Sequence, residues 1–337
     1  MTNRNPELYL SIDTQKWNLD VIAVPPNREI PVYPMTWQDE LELKNADGLM
    51  NGAAMANIVQ KRIPAIRNSW NVPEHQWNRL VGALHLATHG ENLEMRYECK
   101  KCRSINDLIV NASKLIDDHN MPDYSSVNID GLTINFSPLN YLDLVNMRNR
   151  DFRMVKMLLN VNSLTKFDPK QIQKELKSYN DNDSLIKTKR IKSIEYEDQS
   201  YTDKFLIKDF LDNANREIQE LVSNKVDAIN NSTNPNIEIA ECPECQHKNS
   251  ITVNLDPSED FRFRITRMND EQIIDTIKMF DKQSAAIREE AMRMSWAMRG
   301  GANFIDVLNM SPNERKAVSE LIKSNMETTK KSRLPFF

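Results

Sequence analysis

The chain has 337 residues, enough for one large or two modest domains with a sizeable core. With 40% apolar and 27% charged residues it has the make-up of a folded globular protein, and a net charge of −4 gives no general pull toward a nucleic-acid backbone. Seven glycines, with neither G-x-G-x-x-G nor G-x-x-x-x-G-K-[ST], argue against the phosphate loops of nucleotide-binding folds.

Residues 1–35 hold Pro6, Pro25, Pro26, Pro31 and Pro34 among scattered apolar residues, a pattern that breaks helices and predicts an extended arm lying on a surface. Helix is expected from Thr36 to about Arg62, with a cap at Thr36-Trp-Gln-Asp39 and weak points at Gly48 and Gly52. Pro73 opens a second helix carrying Trp77, Leu80, Val81, Leu84 and Leu86, and Gly90 ends it. Ser126–Phe136 alternates around Asp130-Gly131, the pattern of a β-hairpin, and Ser137-Pro138 then start a helix to about Asn160. Residues 167–199 are polar and charged, and Lys187–Lys192 reads as a solvated charge run. Thr202–Ile229 fits one long amphipathic helix.

The four cysteines of the chain form two Cys-x-x-Cys pairs, Cys99/Cys102 and Cys242/Cys245, each between strand-like runs. Two such turns brought together make a tetrahedral four-thiolate zinc site. The 139 residues between Cys102 and Cys242 mean that the metal would tie remote parts of the chain together. No signal peptide or long apolar run is evident, so a reducing compartment without membrane insertion is expected and disulfides are disfavoured. Strands on both sides of each pair disfavour a thioredoxin-like redox site; an iron–sulfur cluster or two free dithiols are the remaining alternatives to zinc. Four thiolates fill the coordination sphere, which makes the ion structural.

The last part is helical again. Asn269–Met298 gives one or two helices ended by Gly300-Gly301, and Ser311-Pro-Asn-Glu314 is a capping box for a helix to about Met326. Met292, Met294, Trp296 and Met298 make an apolar cluster, either core or an adaptable partner-binding surface. The tail Lys330–Phe337 is a frayed terminus or a docking peptide. The expected fold is therefore α+β and mainly helical, with helical layers around a small zinc-centred β unit formed by two zinc knuckles. Its parts are the arm 1–35, a helical domain 36–262 with knuckles at 93–110 and 236–255 and an insertion at 126–231, and a C-terminal helical region 263–337.

No H-E-x-x-H motif or nucleophile elbow is present, so no catalytic residue is assigned. A nucleic-acid-binding zinc ribbon is the alternative function. Arg96, Lys100, Lys101 and Arg103 surround the first pair, but Glu238, Glu241 and Glu244 surround the second.

The helix Glu74–Gly90 leading into Leu93–Cys102, the hairpin running into Phe136-Ser-Pro-Leu-Asn-Tyr141, and the helix before Cys242 resemble segments of a known family. So do Ser295-Trp-Ala-Met-Arg299 and Met310-Ser-Pro-Asn-Glu-Arg315. The family is that of baseplate hub and hub-assembly proteins of T-even-like contractile-tailed phages. The resemblance implies a late structural or assembly protein without catalytic residues, with Cys99, Cys102, Cys242 and Cys245 as zinc ligands. It further implies other hub and tail proteins as partners, the tape-measure protein among them, and oligomers in the assembled tail. Assembly in the host cytoplasm and a place in the virion baseplate are the expected locations.

Overall fold

The structure is a computed structural model that describes residues 6–12, 20–113, 122–163, 187–233, 237–253, 255–299 and 301–332, with isolated positions 170, 173, 177 and 184. The two C-terminal phenylalanines, Gly300 and most of the charged stretch before residue 187 lie outside the described residues. The architecture is α+β and mainly helical, and the described residues contain only small antiparallel sheets. No helix among them is long and apolar enough to cross a membrane.

In its described residues, 6–12 and 20–35, the Pro-rich segment belongs to the main core. Strands β1 (Leu8–Ser11) and β2 (Glu29–Val32) pair antiparallel with Leu8 opposite Val32, and Ile22 bridges to Ile66. Leu10, Ile12, Ile22, Ile30 and Val32 are buried in one cluster with Ile58, Trp77 and Leu84. The alternation of the two strands supplies an apolar face that a free arm would leave in water. Pro31 is tolerated because a two-stranded ribbon leaves one edge of each strand unpaired.

Helices α1 (Trp37–Glu42), α2 (Ala46–Met50) and α3 (Ala53–Arg62) follow; one break falls at Gly52 as expected, whereas Gly48 lies inside α2 and the other break is at residues 43–45. Thr36 and Asp39 form the expected capping box, and Arg62 Nε donates to Asp39 Oδ2 at 2.6 Å. Gly52 sits at φ +77° as N-cap of α3, and a Cβ there would lie 2.6 Å from Val145 Cγ2. That close approach needs glycine twice over, for backbone and for space. Helix α4 (Glu74–His89) runs from Pro73 to Gly90 and buries Trp77, Leu80, Val81 and Leu84. It leads into the hairpin of β3 (Asn92–Glu98) and β4 (Ile105–Asn111).

The predicted hairpin is β5 (Val127–Ile129) and β6 (Leu132–Phe136), joined by Asp130 and Gly131, both at positive φ. It is half of a four-stranded sheet in the order β5-β6-β7-β8, completed by β7 (Ile191–Tyr196) and β8 (Gln199–Tyr201) from the stretch read as polar loop. Helix α5 (Tyr141–Ser163) starts later than expected, where Asn140 Oδ1 accepts from the Asp143 amide. The long helix expected over 202–229 is two helices, α6 (Lys204–Asn213) and α7 (Arg216–Thr233). The break follows from Ala214 adopting an extended ψ of 155°, after which Asn215 caps the amide of Ile218. Both helices cover the sheet through Ile207, Leu211, Ile218, Val222, Val226 and Ile229.

Arg190 corrects the reading of a solvated charge run. It is 1% exposed and grips Glu74 of α4, itself 2% exposed, with Nη1 to Oε1 at 2.5 Å and Nη2 to Oε2 at 2.9 Å. Tyr124 and Asn230 complete the network around the pair. This polar contact ties the four-stranded module to the main core.

After the hairpin of β9 (Ile237–Glu241) and β10 (Lys248–Thr252), helix α8 (Pro257–Thr266) packs Phe261 and Ile265 against Leu49 and Ala54 of the α2–α3 region. The boundary expected at 262/263 falls inside this helix. Helix α9 (Asp270–Ala297) is one continuous helix opened by an Asn269/Gln272 capping box. Its far end meets α10 (Phe304–Leu308) and α11 (Pro312–Ser332) around Trp37, over whose ring Arg315 lies at 4.4 Å.

Candidate metal centre

The two Cys-x-x-Cys turns are built alike. In the first, the Cys99 amide donates to Ser104 O and the Arg103 amide to Cys99 O, both at 2.9 Å. In the second, the Cys242 amide donates to His247 O at 2.9 Å and the Gln246 amide to Cys242 O at 2.8 Å. Arg103 and Gln246, at the same offset from the first cysteine, both take the left-handed conformation, φ +60° and +57°. Non-glycine residues adopt it at a cost, and here it curls each turn tightly enough to aim both sulfurs at one point.

Packing of the hairpins brings the four sulfurs together. Val110 and Val253 are buried against Leu93, Met95, Leu108 and Leu255, and Tyr97 reaches from the first hairpin to Glu241 O of the second. All four Sγ atoms lie within 4.8 Å of one another, and the Cys99–Cys245 and Cys102–Cys242 distances are both short, at 3.6 Å. A tetrahedral ion with metal–sulfur bonds of about 2.3 Å sets its sulfurs roughly 3.8 Å apart, so this donor set can hold a metal ion of zinc's size. Each short distance joins one turn to the other, and all four thiols are free rather than disulfide-bonded.

Side chains at matching positions brace the sulfurs. Asn106 Nδ2 donates to Cys242 Sγ at 3.7 Å, and Asn249 Nδ2 donates to Cys99 Sγ at 3.6 Å. Each asparagine also holds the carbonyl of its own turn, Ser104 O or His247 O. The likeness stops where the Lys100 amide donates to Asn249 Oδ1 at 3.0 Å, because the matching residue, Pro243, has no N–H. Asn106 and Asn249 escaped the sequence reading, although C-x-x-C-x-x-x-N recurs at both pairs.

Hydrogen bonds favour charge on the buried first cysteine of each turn. The Ser104 hydroxyl and the amides of Cys245 and Glu244 pull Cys242 down to about 6, against its burial. The Cys102 amide draws Cys99 below the usual thiol range. For Cys245 the His247 amide favours the thiolate, but burial and the neighbouring thiols Cys102, Cys99 and Cys242 outweigh it and push the group up to about 12. Negative charge concentrated in this way is what a divalent cation neutralises.

The methionine–tryptophan cluster does not form one surface. Met294 is buried beside Ala291 and Val307, and Met298 packs on the same cluster, whereas Met292 and Trp296 are exposed. The pairs sit four residues apart on different faces of α9, as helical geometry requires.

A model of the family described as T4 bacteriophage base plate protein matches residues 18–262, a span that contains the paired strand β2, the buried Glu74–Arg190 contact and all four cysteines. Among curated proteins and among solved structures, none matches the chain. The match runs over well more than half of the sequence, and the chain belongs to the T4 bacteriophage base plate protein family.

Proposed function

We propose that this protein is a structural or assembly component of the baseplate hub, held in shape by a structural zinc and acting through protein contacts rather than catalysis. Family membership makes it a structural protein of the phage baseplate, with other tail and baseplate proteins as its neighbours. The observation that carries the zinc reading is the convergence of four sulfurs from hairpins 140 positions apart in sequence. Cys99, Cys102, Cys242 and Cys245 would hold the ion. When bound, it supplies a closed four-thiolate cross-link with no position for water or substrate. The clasp fixes the segment 103–241 as a loop whose two ends meet, so the four-stranded module is presented on the main core in one orientation.

Placement in the hub, with the tape-measure protein among the contacts, rests on the resemblance of the helix–hairpin segments. Cross-linking mass spectrometry on assembly intermediates and finished baseplates tests it. Links to hub and tape-measure proteins are expected; links confined to peripheral baseplate proteins would contradict the placement, and measurable turnover of a substrate would contradict the structural role.

A further inference from the structure

The four-stranded module carries an aromatic groove that the metal clasp does not explain. Across one face of the sheet, at the end where Asp130-Gly131 and Glu197-Asp198 make the turns, a groove of about 510 Å³ lies between the strands and α6. Leu132, Ile194, Tyr196, Tyr201, Leu206 and Phe210 line it. Leu206 is 58% exposed and its neighbour Phe205 83%, while Tyr196 and Tyr201 are also open to solvent. A contiguous apolar patch of this kind, with tyrosines at its border, marks a protein contact rather than ordinary surface. A polar small molecule would need several convergent polar groups, and Asp130 is the one charged residue in the lining.

Two features specify the occupant. Strand β8 pairs only with β7 among the described residues, so its outer edge offers backbone N–H and C=O groups, and its Tyr201 lines the groove. An extended segment laid on such an edge gains main-chain hydrogen bonds and drops alternate side chains into the adjoining pocket. The lip is acidic: Asp130 lines the mouth, and Glu197 and Asp198 form the neighbouring turn at the same end of the sheet. Negative charge there attracts a basic residue flanking the inserted side chain.

We infer that this groove and the β8 edge bind an extended segment of another baseplate protein, one that carries a bulky apolar side chain next to a lysine or arginine. The inference rests on the groove and on family membership, and stands whether or not the cysteines hold zinc.

The test uses the full chain with p-benzoylphenylalanine at position 205, irradiated during co-expression with the other baseplate proteins of the same phage. The expected product is a cross-link to one peptide of a baseplate protein, with Lys or Arg within two residues of a large apolar side chain. Leu206→Asp should lower retention of that protein at least tenfold with circular dichroism unchanged. Asp130→Asn together with Glu197→Gln should weaken retention at low salt more than at high salt. Cross-links that fall within this chain, on a second copy of it, on lipid or on a helical segment overturn the inference. So does retention that Leu206→Asp leaves intact.

Discussion

The carboxamide of Asn106, on the first cysteine hairpin, donates to the sulfur of Cys242 on the second across 3.7 Å. Asn249 returns the contact to Cys99. Each hairpin therefore stabilises the charge on the other's buried thiolate, and the site is complete only when both are closed.

Outer donors of this kind hold metal ligands in place, and their loss typically costs 10–100-fold in metal affinity. Asn106→Leu and Asn249→Leu should each weaken zinc retention by about that factor, measured by competition with a chromophoric chelator. The Co²⁺-substituted protein should show shifted sulfur-to-metal charge-transfer bands, a change that a general loss of packing would not produce. Affinities equal to that of the unaltered protein would show the crossed contacts to be incidental.

Removing one side of the Glu74–Arg190 pair leaves the other as a buried, uncompensated charge. Glu74→Ala and Arg190→Ala should each lower unfolding free energy by about 3–5 kcal/mol in urea titrations. The double replacement Glu74→Leu with Arg190→Met should cost much less than the two single changes added together, since a buried ion pair contributes little beyond an apolar pair of like volume. Strict additivity would argue that the two residues stabilise the fold separately.

His85 supplies a pH dependence. Burial, helped by neighbouring His89, lowers it from 6.5 to about 4, and its Nε2 is buried without a hydrogen bond. Because the folded value lies below the unfolded one, the unfolded chain takes up the proton first. The stability this group contributes is full above pH 6.5 and declines as pH falls toward 4. His85→Gln should therefore reduce the fall in melting temperature over that interval, and equal slopes for both proteins would refute the assignment.

Much of the site was legible because its chemistry is local. Cys-x-x-Cys turns flanked by strands announce themselves in sequence, as do the caps at Thr36 and Ser311. What escaped depended on distant partners. Strand β7 hides its alternation because the register slips where Phe136 faces Ile191 and Asn135 faces Ser193, leaving Lys192 as an extra residue. The Pro-rich segment became core only because Leu8 finds Val32 and Ile22 finds Ile66, pairings no local pattern encodes. Arg190 looked solvated because its partner lies 116 positions away.

Metal analysis of protein purified without added zinc tests the clasp most directly. One zinc per chain is expected, lost on Cys99→Ser and on Cys242→Ser alike, with the two hairpins then exchanging amide hydrogens faster. A folded preparation without stoichiometric metal, or an ion that survives both substitutions, would contradict it.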